Sequence, residues 1–174
     1  MKQELKQENP MREIKLEKVV LSCGATGPEL EKSQKLLEML SGRKAQIVKA
    51  GPKKRIPSFG VKPNLPLGTM VTLRGEEAEK ILRRLLGAVD NFIDESQFAD
   101  NAFSFGIKEY IEIPGTEYKR EIGIKGLNVT VVFIRAGFRV KKRKIKRAKL
   151  PEKQIIRSEE IIKFMQENFE TEVE

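Results

Sequence analysis

The stretch between Gly42 and Gly75 constrains the fold more than any other part of the chain. It begins with a short apolar-leaning run at residues 45–48 and ends with the β-branched run TMVTL at residues 69–73. Both runs have strand chemistry, because β-branched side chains pack well on a pleated surface. Four prolines lie between them, and proline fixes φ and cannot donate to a sheet ladder. The sequence therefore predicts two strands joined by a stiff, projecting loop.

This loop is also strongly basic. Seven Lys and Arg residues and no acid lie in residues 43–62. A solvated loop without a ligand normally mixes charge signs, so a loop of one sign favours a polyanionic partner. A second acid-free run, at residues 135–149, holds nine more Lys and Arg. Together the two runs hold 16 of the 34 basic residues, a clustering typical of nucleic-acid-binding proteins.

The composition indicates a soluble, highly charged globular protein of one domain. The chain has 174 residues, of which 39% are hydrophobic and 34% charged, and its net charge is +9. No apolar run is long enough to cross a bilayer, and no signal-peptide core stands at the start. Neither basic run has the amphipathic pattern that binds a membrane surface, so the expected polyanion is a nucleic acid. The single cysteine, Cys23, fits a reducing cytosol.

The chain lacks the residues on which most enzymes depend. It has no histidine, the commonest general base and metal ligand, and one cysteine cannot build a zinc site. The glycine turn SCGATGPE at residues 22–29 leads into a predicted helix, but it lacks the lysine and the spacing of a P-loop. The sequence therefore predicts no catalytic site, no metal and no cofactor. A small nucleotide-handling enzyme that uses this turn is the alternative.

Hydrophobic periodicity predicts the element order β-α-β-β-α-β-β-α. Strands are predicted at residues 12–22, 45–48, 69–73, 102–113 and 126–135, and helices at residues 28–40, 76–89 and 158–169. Few of these elements alternate as βαβ units. The prediction is therefore an α+β fold in a single domain, with a mostly antiparallel sheet, helices packed on one face and the other face free for RNA.

Several local features are predicted as well. Thr26 and Glu29 have the spacing of a capping box at the start of the first helix. Phe59, Phe103 and Phe105 are predicted to be core residues rather than base-stacking platforms. The remaining predictions concern solvated groups and domain limits. They are a solvated helix face at Arg83 and Arg84, an irregular connection at residues 91–101, and a basic run at residues 136–151 that its partner orders. The predicted limits are an N-terminal arm at 1–11, a main domain at 12–150, and a C-terminal helix with a solvated acidic tail at 151–174.

Three segments together resemble one known family. They are EKVVLSCGATGPELEKSQKLLEMLSGRKA, IPSFGVKPNLPLGTMVTLRG and FSFGIKEYIEIPGTEYKREIGIKGLNVTVVF. Over residues 12–150 the chain is similar to the universal large-subunit ribosomal protein that binds 5S rRNA, the fifth protein of that subunit. The C-terminal basic run resembles the archaeal and eukaryotic branch. The resemblance implies a structural constituent of the cytoplasmic ribosome, in the central protuberance, with 23S-type rRNA and other proteins of the 5S particle as partners.

The resemblance also implies three contacts. The family's sheet surface packs on 5S rRNA, and the matching positions here are Ser22, Gly24, Lys62, Asn64, Thr72 and Arg74. The family's loop between the second and third strands reaches the P-site tRNA. In this chain that loop is residues 50–60, with Lys53, Lys54 and Arg55 as phosphate ligands. The family's connection at residues 91–104 forms a bridge to a protein of the small-subunit head.

Two positions depart from the family pattern, and one further set of residues comes from charge alone. The family often has an amide where this chain has Ser22, and a polar residue is common where it has Pro63. In the second basic run, the density of like charge predicts further RNA ligands at Arg139, Lys141, Lys142, Arg143, Lys144, Lys146 and Arg147. The alternative to a ribosomal protein is a generic basic RNA- or DNA-binding regulator outside the ribosome.

Overall fold

Residues 10–174 are described by a computed structural model, which has the predicted α+β fold. Most of the predicted N-terminal arm, residues 1–9, lies outside the described residues. The strands are β1 (Ile14–Gly24), β2 (Gln46–Lys49), β3 (Pro66–Leu73), β4 (Phe92–Ile93), β5 (Phe98–Ala99), β6 (Ala102–Ile107), β7 (Leu127–Arg135) and β8 (Glu172–Val173). The helices are α1 (Pro28–Ser41), α2 (Glu76–Leu86), α3 (Arg139–Lys142) and α4 (Ser158–Phe169).

Six of these strands form one sheet in the order β2-β3-β1-β7-β6-β5. Each neighbouring pair in it is antiparallel, as predicted. β2 and β3 are the predicted pair that brackets the basic loop, and β1 stands near the centre between β3 and β7. No helix in the described part of the chain is long and apolar enough to cross a membrane.

Strand β1 carries a β-bulge that decides which of its side chains reach the core. Its pairing with β7 shifts between Leu16 and Lys18, so Glu17 is the additional residue. Leu16 lies opposite the buried Phe133, and Val19, three residues after Leu16, is fully buried as well. In an unbroken strand, Leu16 and Val19 would point to opposite faces because side chains alternate. The bulge turns both towards the same core.

The three longer helices pack on one face of the sheet, as predicted. Each presents an apolar stripe at helical spacing. The buried stripe residues are Leu30, Leu36, Leu37 and Leu40 in α1, Ala78, Ile81, Leu82, Leu85 and Leu86 in α2, and Ile161, Met165 and Phe169 in α4. The strands bury alternate residues against them, namely Val19, Leu21 and Cys23 in β1, Phe103, Phe105 and Ile107 in β6, and Leu127, Val129, Val131 and Phe133 in β7. The helices and the sheet therefore share one core.

The predicted capping box of α1 is wrong. The N-cap residue is Gly27, with φ of 62°, and no side chain caps the helix. The Glu29 carboxylate instead pairs with Lys125 at 2.7 Å and with Lys32 at 3.1 Å. Hydrogen bonds from Lys125 and then Lys32 hold the pKa of Glu29 below its ordinary value. Lys125, just before β7, therefore joins the first turn of α1 to the sheet through the Glu29 carboxylate.

The predicted strand at residues 102–113 is too long. β6 ends at Ile107, and a 3-10 turn follows at Tyr110–Glu112. Tyr110 is fully buried, and its hydroxyl accepts a hydrogen bond from the backbone N–H of Lys119 at 2.9 Å. The apolar residues after Ile107 therefore anchor a loop to the core, although their alternation is that of a strand.

The acidic C-terminus is not simply a solvated tail. β8 pairs in parallel with β4, which lies inside the connection that the sequence predicts to be irregular. The Glu95 N–H donates to the carbonyl of Glu174 at 2.7 Å, and Thr171 is buried. The side chains of Glu172 and Glu174 are exposed. The backbone of this segment is ordered while its charges stay in water.

Arg83 is exposed, as predicted for a solvated helix face, and Arg84 is half-buried, but both side chains also bind other segments of the chain. Arg84 donates to the carbonyl of Pro114 at 2.7 Å. Arg83 donates to the carbonyl of Asn168 at 3.2 Å and lies 4.8 Å from the ring centroid of Phe169. Both guanidinium groups therefore join α2 to neighbouring segments.

Arg135, at the end of β7, joins the C-terminal helix to the sheet. Its side chain is only 10% exposed, and it pairs with the Glu160 carboxylate of α4 at 2.8 Å. It also donates to the carbonyls of Arg12 at 2.9 Å and Lys153 at 3.0 Å. Partial burial acts to raise the pKa of Glu160. Hydrogen bonds from Arg135 and from the Arg157 N–H outweigh burial and hold that pKa below its ordinary value.

We predict that the pair of Arg135 and Glu160 stabilises the fold at neutral pH and not in acid. Because the folded-state pKa of Glu160 is lowered, its contribution is complete above the ordinary pKa of 4.5 and is lost as pH falls through the lower folded value. Thermal melts of the wild type and Glu160→Gln should therefore differ near neutral pH and converge in acid. A difference in melting temperature that stays constant over this range would contradict the assignment.

Candidate RNA-binding surface

The face of the sheet away from the three longer helices carries mostly small side chains, and we call it the open face. The strand register sets its rows. Ser22 lies opposite Met70 of β3 and Asn128 of β7, and Val20 lies opposite Thr72 and Thr130. The next strand continues the second row, since Ser104 lies opposite Thr130 and donates to its hydroxyl at 3.1 Å. The open face comprises Gln46, Met70, Thr72, Lys18, Val20, Ser22, Asn128, Thr130, Val132, Ala102, Ser104 and Gly106.

The sheet brings three of the predicted 5S rRNA ligands onto or beside the open face. Ser22 and Thr72 point to it from adjacent strands, and both are half-buried. Arg74 follows the last residue of β3 and is exposed. Continued alternation directs Arg74 to the same side as Thr72. Two hydroxyls and a guanidinium can thus meet one ligand.

Gly24 and Gly68 lie opposite each other where β1 ends, and they have different roles. A Cβ added to Gly68 would lie 2.6 Å from the carbonyl oxygen of Cys23, so Gly68 is needed for β3 to approach β1. A Cβ added to Gly24 would meet nothing within 4 Å. Gly24 is exposed and leaves bare backbone at the edge of the open face. This is the predicted ligand position at which a partner's backbone can come closest.

Lys62 and Asn64 lie in a tight turn where the basic loop returns to β3. The N–H of Leu65 donates to the carbonyl of Lys62 at 3.2 Å, and Asn64 has φ of 59°. A proline at the second position of a four-residue turn and an Asn with positive φ at the third are typical of a type II turn. Pro63, the departure from the family pattern, therefore shapes this turn. The side chains of Lys62 and Asn64 are both exposed.

The basic loop lies at the surface, with residues 52–60 all exposed, and its stiffness stays a prediction. Its base is closed by the Ala50 N–H, which donates to the carbonyl of Leu65 at 2.8 Å. Lys53, Lys54 and Arg55 are exposed, and no carboxylate of the described residues pairs with them. The prediction that Phe59 is a core residue is wrong, since its side chain is 82% exposed.

The second basic run receives part of its order from the chain itself. It forms α3, and the ammonium of Lys142 pairs with Glu17, the bulge residue of β1, whose side chain is only 10% exposed. Lys142 also lies 5.1 Å from the ring centroid of Phe138. The other predicted RNA ligands of this run are exposed and form no ion pair with the described residues, namely Arg139, Lys141, Arg143, Lys144, Lys146 and Arg147.

We predict that the Glu17 carboxylate holds this run against β1. Glu17→Gln should raise backbone hydrogen exchange in residues 139–143 and leave β6 unchanged, because only the former depends on the ion pair. Glu13→Gln is a matched control, since Glu13 pairs with Lys15 at a site where both side chains are more than 60% exposed. Equal exchange of residues 139–143 in the wild type, Glu17→Gln and Glu13→Gln would show that the ion pair of Glu17 and Lys142 does not stabilise this segment.

Sequence reasoning missed Asn128, Thr130 and Ser104, which extend the open face across β7 and β6. The signal was present, because these polar residues alternate with buried ones in the segments GLNVTVVF and AFSFG. Strand order cannot be read from one sequence. Only the observed register places Ser104 beside Thr130 and both in the same row as Thr72.

The glycine turn before α1 is poorly suited to a nucleotide phosphate. Pro28 occupies the first turn of the helix and removes one of the N–H groups that would bind an anion. Glu29 and Glu31 add negative charge in the same turn. Burial raises the pKa of the neighbouring Cys23 thiol to about 11, because the positive charge of Lys125 offsets the effect of burial only in part. The described residues contain no group of three or more His, Cys, Asp or Glu side chains that could hold a metal ion.

Comparison with known protein families agrees with this geometry. The family model of ribosomal protein L5 matches residues 9–62, and that of the ribosomal L5P family C-terminus matches residues 66–164. The chain belongs to the ribosomal protein L5 family. The first match ends within the loop between β2 and β3, and the second begins with β3, so together they cover the open face and the basic loop up to residue 62.

Curated relatives of this family cover nearly the whole chain. The "Large ribosomal subunit protein uL5" of Nanoarchaeum equitans is 46% identical over 169 residues, which are 95% of this chain and 99% of the relative. The protein of the same name from Sulfurisphaera tokodaii is 42% identical over 165 residues, 92% of each chain. That of Methanococcoides burtonii is 40% identical over 169 residues, 95% of this chain and 99% of the relative.

These relatives are archaeal, which confirms the predicted family and fits the predicted branch. The L5-family chain is a structural constituent of the large ribosomal subunit and acts in translation on the cytoplasmic ribosome. RNA binding, with ribosomal RNA and large-subunit proteins as its partners, follows from the family.

Proposed function

We propose that this L5-family protein binds 5S rRNA in the central protuberance with its open face, contacts the P-site tRNA through its basic loop, and joins a bridge to a small-subunit head protein through residues 91–104. One observation carries the proposal. The side of the sheet that the longer helices leave uncovered carries hydroxyl and amide groups on four neighbouring strands, and acid-free basic segments lie beside it.

The chemistry of the open face fits a folded RNA better than a single-stranded one. Ser22 and Thr72 offer hydroxyls that can bond to phosphate or 2′-OH groups, and the Arg74 guanidinium can hold a phosphate with two hydrogen bonds. The open face has no aromatic side chain on which an unstacked base could stack. Recognition there would follow the shape of the RNA backbone.

The two basic segments would act by neutralising phosphates. Lys53, Lys54 and Arg55 project from the sheet on a loop with its own closed backbone, so they can reach an RNA that does not touch the open face. The exposed cations of residues 139–147 are the second set, and large-subunit rRNA is the proposed partner for them. Each neutralised phosphate releases counterions, so binding by both segments should weaken steeply with salt.

The bridge proposal is supported by charge. Residues 91–104 expose the carboxylates of Asp94, Glu95 and Asp100, and the ring of Phe92 is 43% exposed beside them. The pairing of β4 with β8 holds this connection in place. An acidic surface with an exposed aromatic suits a basic protein partner better than RNA.

The direct test is a titration of the full-length protein with 5S rRNA, against bulk tRNA and an unrelated hairpin, over a range of salt. The proposal expects 5S rRNA to be preferred by about a thousandfold, the low end of specific over non-specific binding. Equal, salt-sensitive binding to all three RNAs would instead identify a generic basic RNA- or DNA-binding regulator.

We predict that replacement by Ala affects RNA binding at one of the two facing glycines and protein stability at the other. Gly24→Ala should leave the melting temperature nearly unchanged and weaken 5S rRNA binding, because its methyl group would point into the space that RNA fills. Gly68→Ala should destabilise the protein by about 1–3 kcal/mol, the usual cost of overpacking, because its methyl group meets the Cys23 carbonyl. Unchanged 5S affinity in Gly24→Ala would remove Gly24 from the interface.

The division between open face and loop generates a further prediction. Joint replacement of Lys53, Lys54 and Arg55 by Ala should spare 5S rRNA binding and weaken tRNA binding. The slope of log affinity for tRNA against log salt should fall by about 1 for each phosphate that the variant no longer neutralises. A matched control replaces Lys32, Lys35 and Lys80 by Ala, since these lysines lie on helix surfaces and pair with carboxylates. A lower 5S affinity in the loop variant would contradict the division.

A further inference from the structure

Phe59 is the most exposed large apolar side chain among the described residues. It is 82% exposed, ahead of Ile145 at 77% and Ile124 at 67%. An aromatic ring left in water gives up the burial that normally stabilises a fold. The sequence predicts a core position for it, yet the fold directs it outwards. A ring in this position is accessible to a partner.

The backbone around Phe59 is closed, so the ring stands on a defined tip. Ile56 and Val61 form an isolated antiparallel bridge with two hydrogen bonds of 3.0 Å. Between them, residues 57–59 form a 3-10 turn, which Gly60 ends with φ of 63° and an N–H bond to the Pro57 carbonyl at 3.0 Å. Proline and the closed turn limit the conformations of the free loop, so little entropy is lost when a partner binds.

The charges near the tip indicate the class of partner. Lys53, Lys54, Arg55 and Lys62 flank the turn in sequence and are all exposed. No Asp or Glu lies between Glu38 and Glu76. An apolar protein surface would have to desolvate these cations, whereas RNA pairs them with phosphates and also offers the flat faces of its bases. Surfaces that bind unpaired bases typically combine an aromatic ring, on which a base stacks, with cations that bind the RNA backbone.

We propose that Phe59 stacks on an unpaired nucleobase exposed in a loop of a folded RNA, so that the basic loop recognises a base as well as phosphates. The inference rests on the proposed RNA contact of the basic loop and adds the chemistry of its tip. The cations hold the RNA backbone, and the ring distinguishes a loop with an accessible base from a continuous duplex. Stacking requires no particular base, because every base has a π-face.

The test uses full-length protein with two RNAs, folded tRNA and a continuous RNA duplex of similar length, over a range of salt. Phe59→Ala should weaken tRNA binding roughly five- to a hundredfold, the range that stacking on one base gives, with an unchanged salt slope. Duplex binding should not change. Phe59→Trp should keep the affinity for tRNA, and Phe59→Leu should not restore it. Phe92→Ala is the matched control, since Phe92 is an exposed phenylalanine away from the loop.

Three outcomes would overturn the stacking. They are tRNA affinity of Phe59→Ala equal to that of the wild type, full recovery with Leu, and equal reductions in affinity for tRNA and duplex. Full recovery with Leu would point to a general apolar contact with another kind of partner. The joint Lys53, Lys54 and Arg55 variant separates the two levels of the argument. If it weakens tRNA binding while Phe59→Ala does not, only the stacking fails; if neither changes tRNA binding, the proposed loop–tRNA interaction itself fails.

Discussion

The bulge at Glu17 is the constraint on which the rest of the structure depends. β1 pairs with β3 on one side and β7 on the other, so its side-chain directions set those of the sheet. Without the additional residue, Leu16 and Val19 could not both face the helices, and one half of the strand would present apolar side chains to water. With it, the core lies on one side and the open face is left for small groups. The same residue then pairs with Lys142, so the bulge also positions the second basic run.

The basic residues divide into two groups by burial, although their sequence positions overlap. Arg135 and Lys125 are at most 14% exposed and bind carboxylates and carbonyls of the chain itself. Arg84 likewise binds a backbone carbonyl. Such cations connect segments and are not free for a partner. Lys53, Lys54 and Arg55 are exposed, pair with no carboxylate of the described chain, and raise its affinity for polyanions. Charge density in the sequence does not distinguish these groups, since Arg135 opens the second basic run.

The sequence predicts the elements with a clear period and misses those that depend on distant contacts. The stripes of α2 and α4 and the alternation of β6 and β7 are visible in the residue pattern. The pairing of β8 with β4 is not, because two-residue strands carry no period and their partners lie far apart in the chain. Phe59 illustrates a different limit. Apolar character predicts burial, but this ring lies in a closed turn at the tip of a projecting loop and is exposed.

The central claim is that the open face and the basic loop serve different RNAs. Hydroxyl-radical oxidation of the protein, free and bound to 5S rRNA, tests it at two well-placed residues, Met70 on the open face and Phe59 at the loop tip. The account predicts that 5S rRNA protects the Met70 side chain from oxidation and leaves the Phe59 ring as reactive as in the free protein. Protection of Phe59 with Met70 unchanged would contradict it.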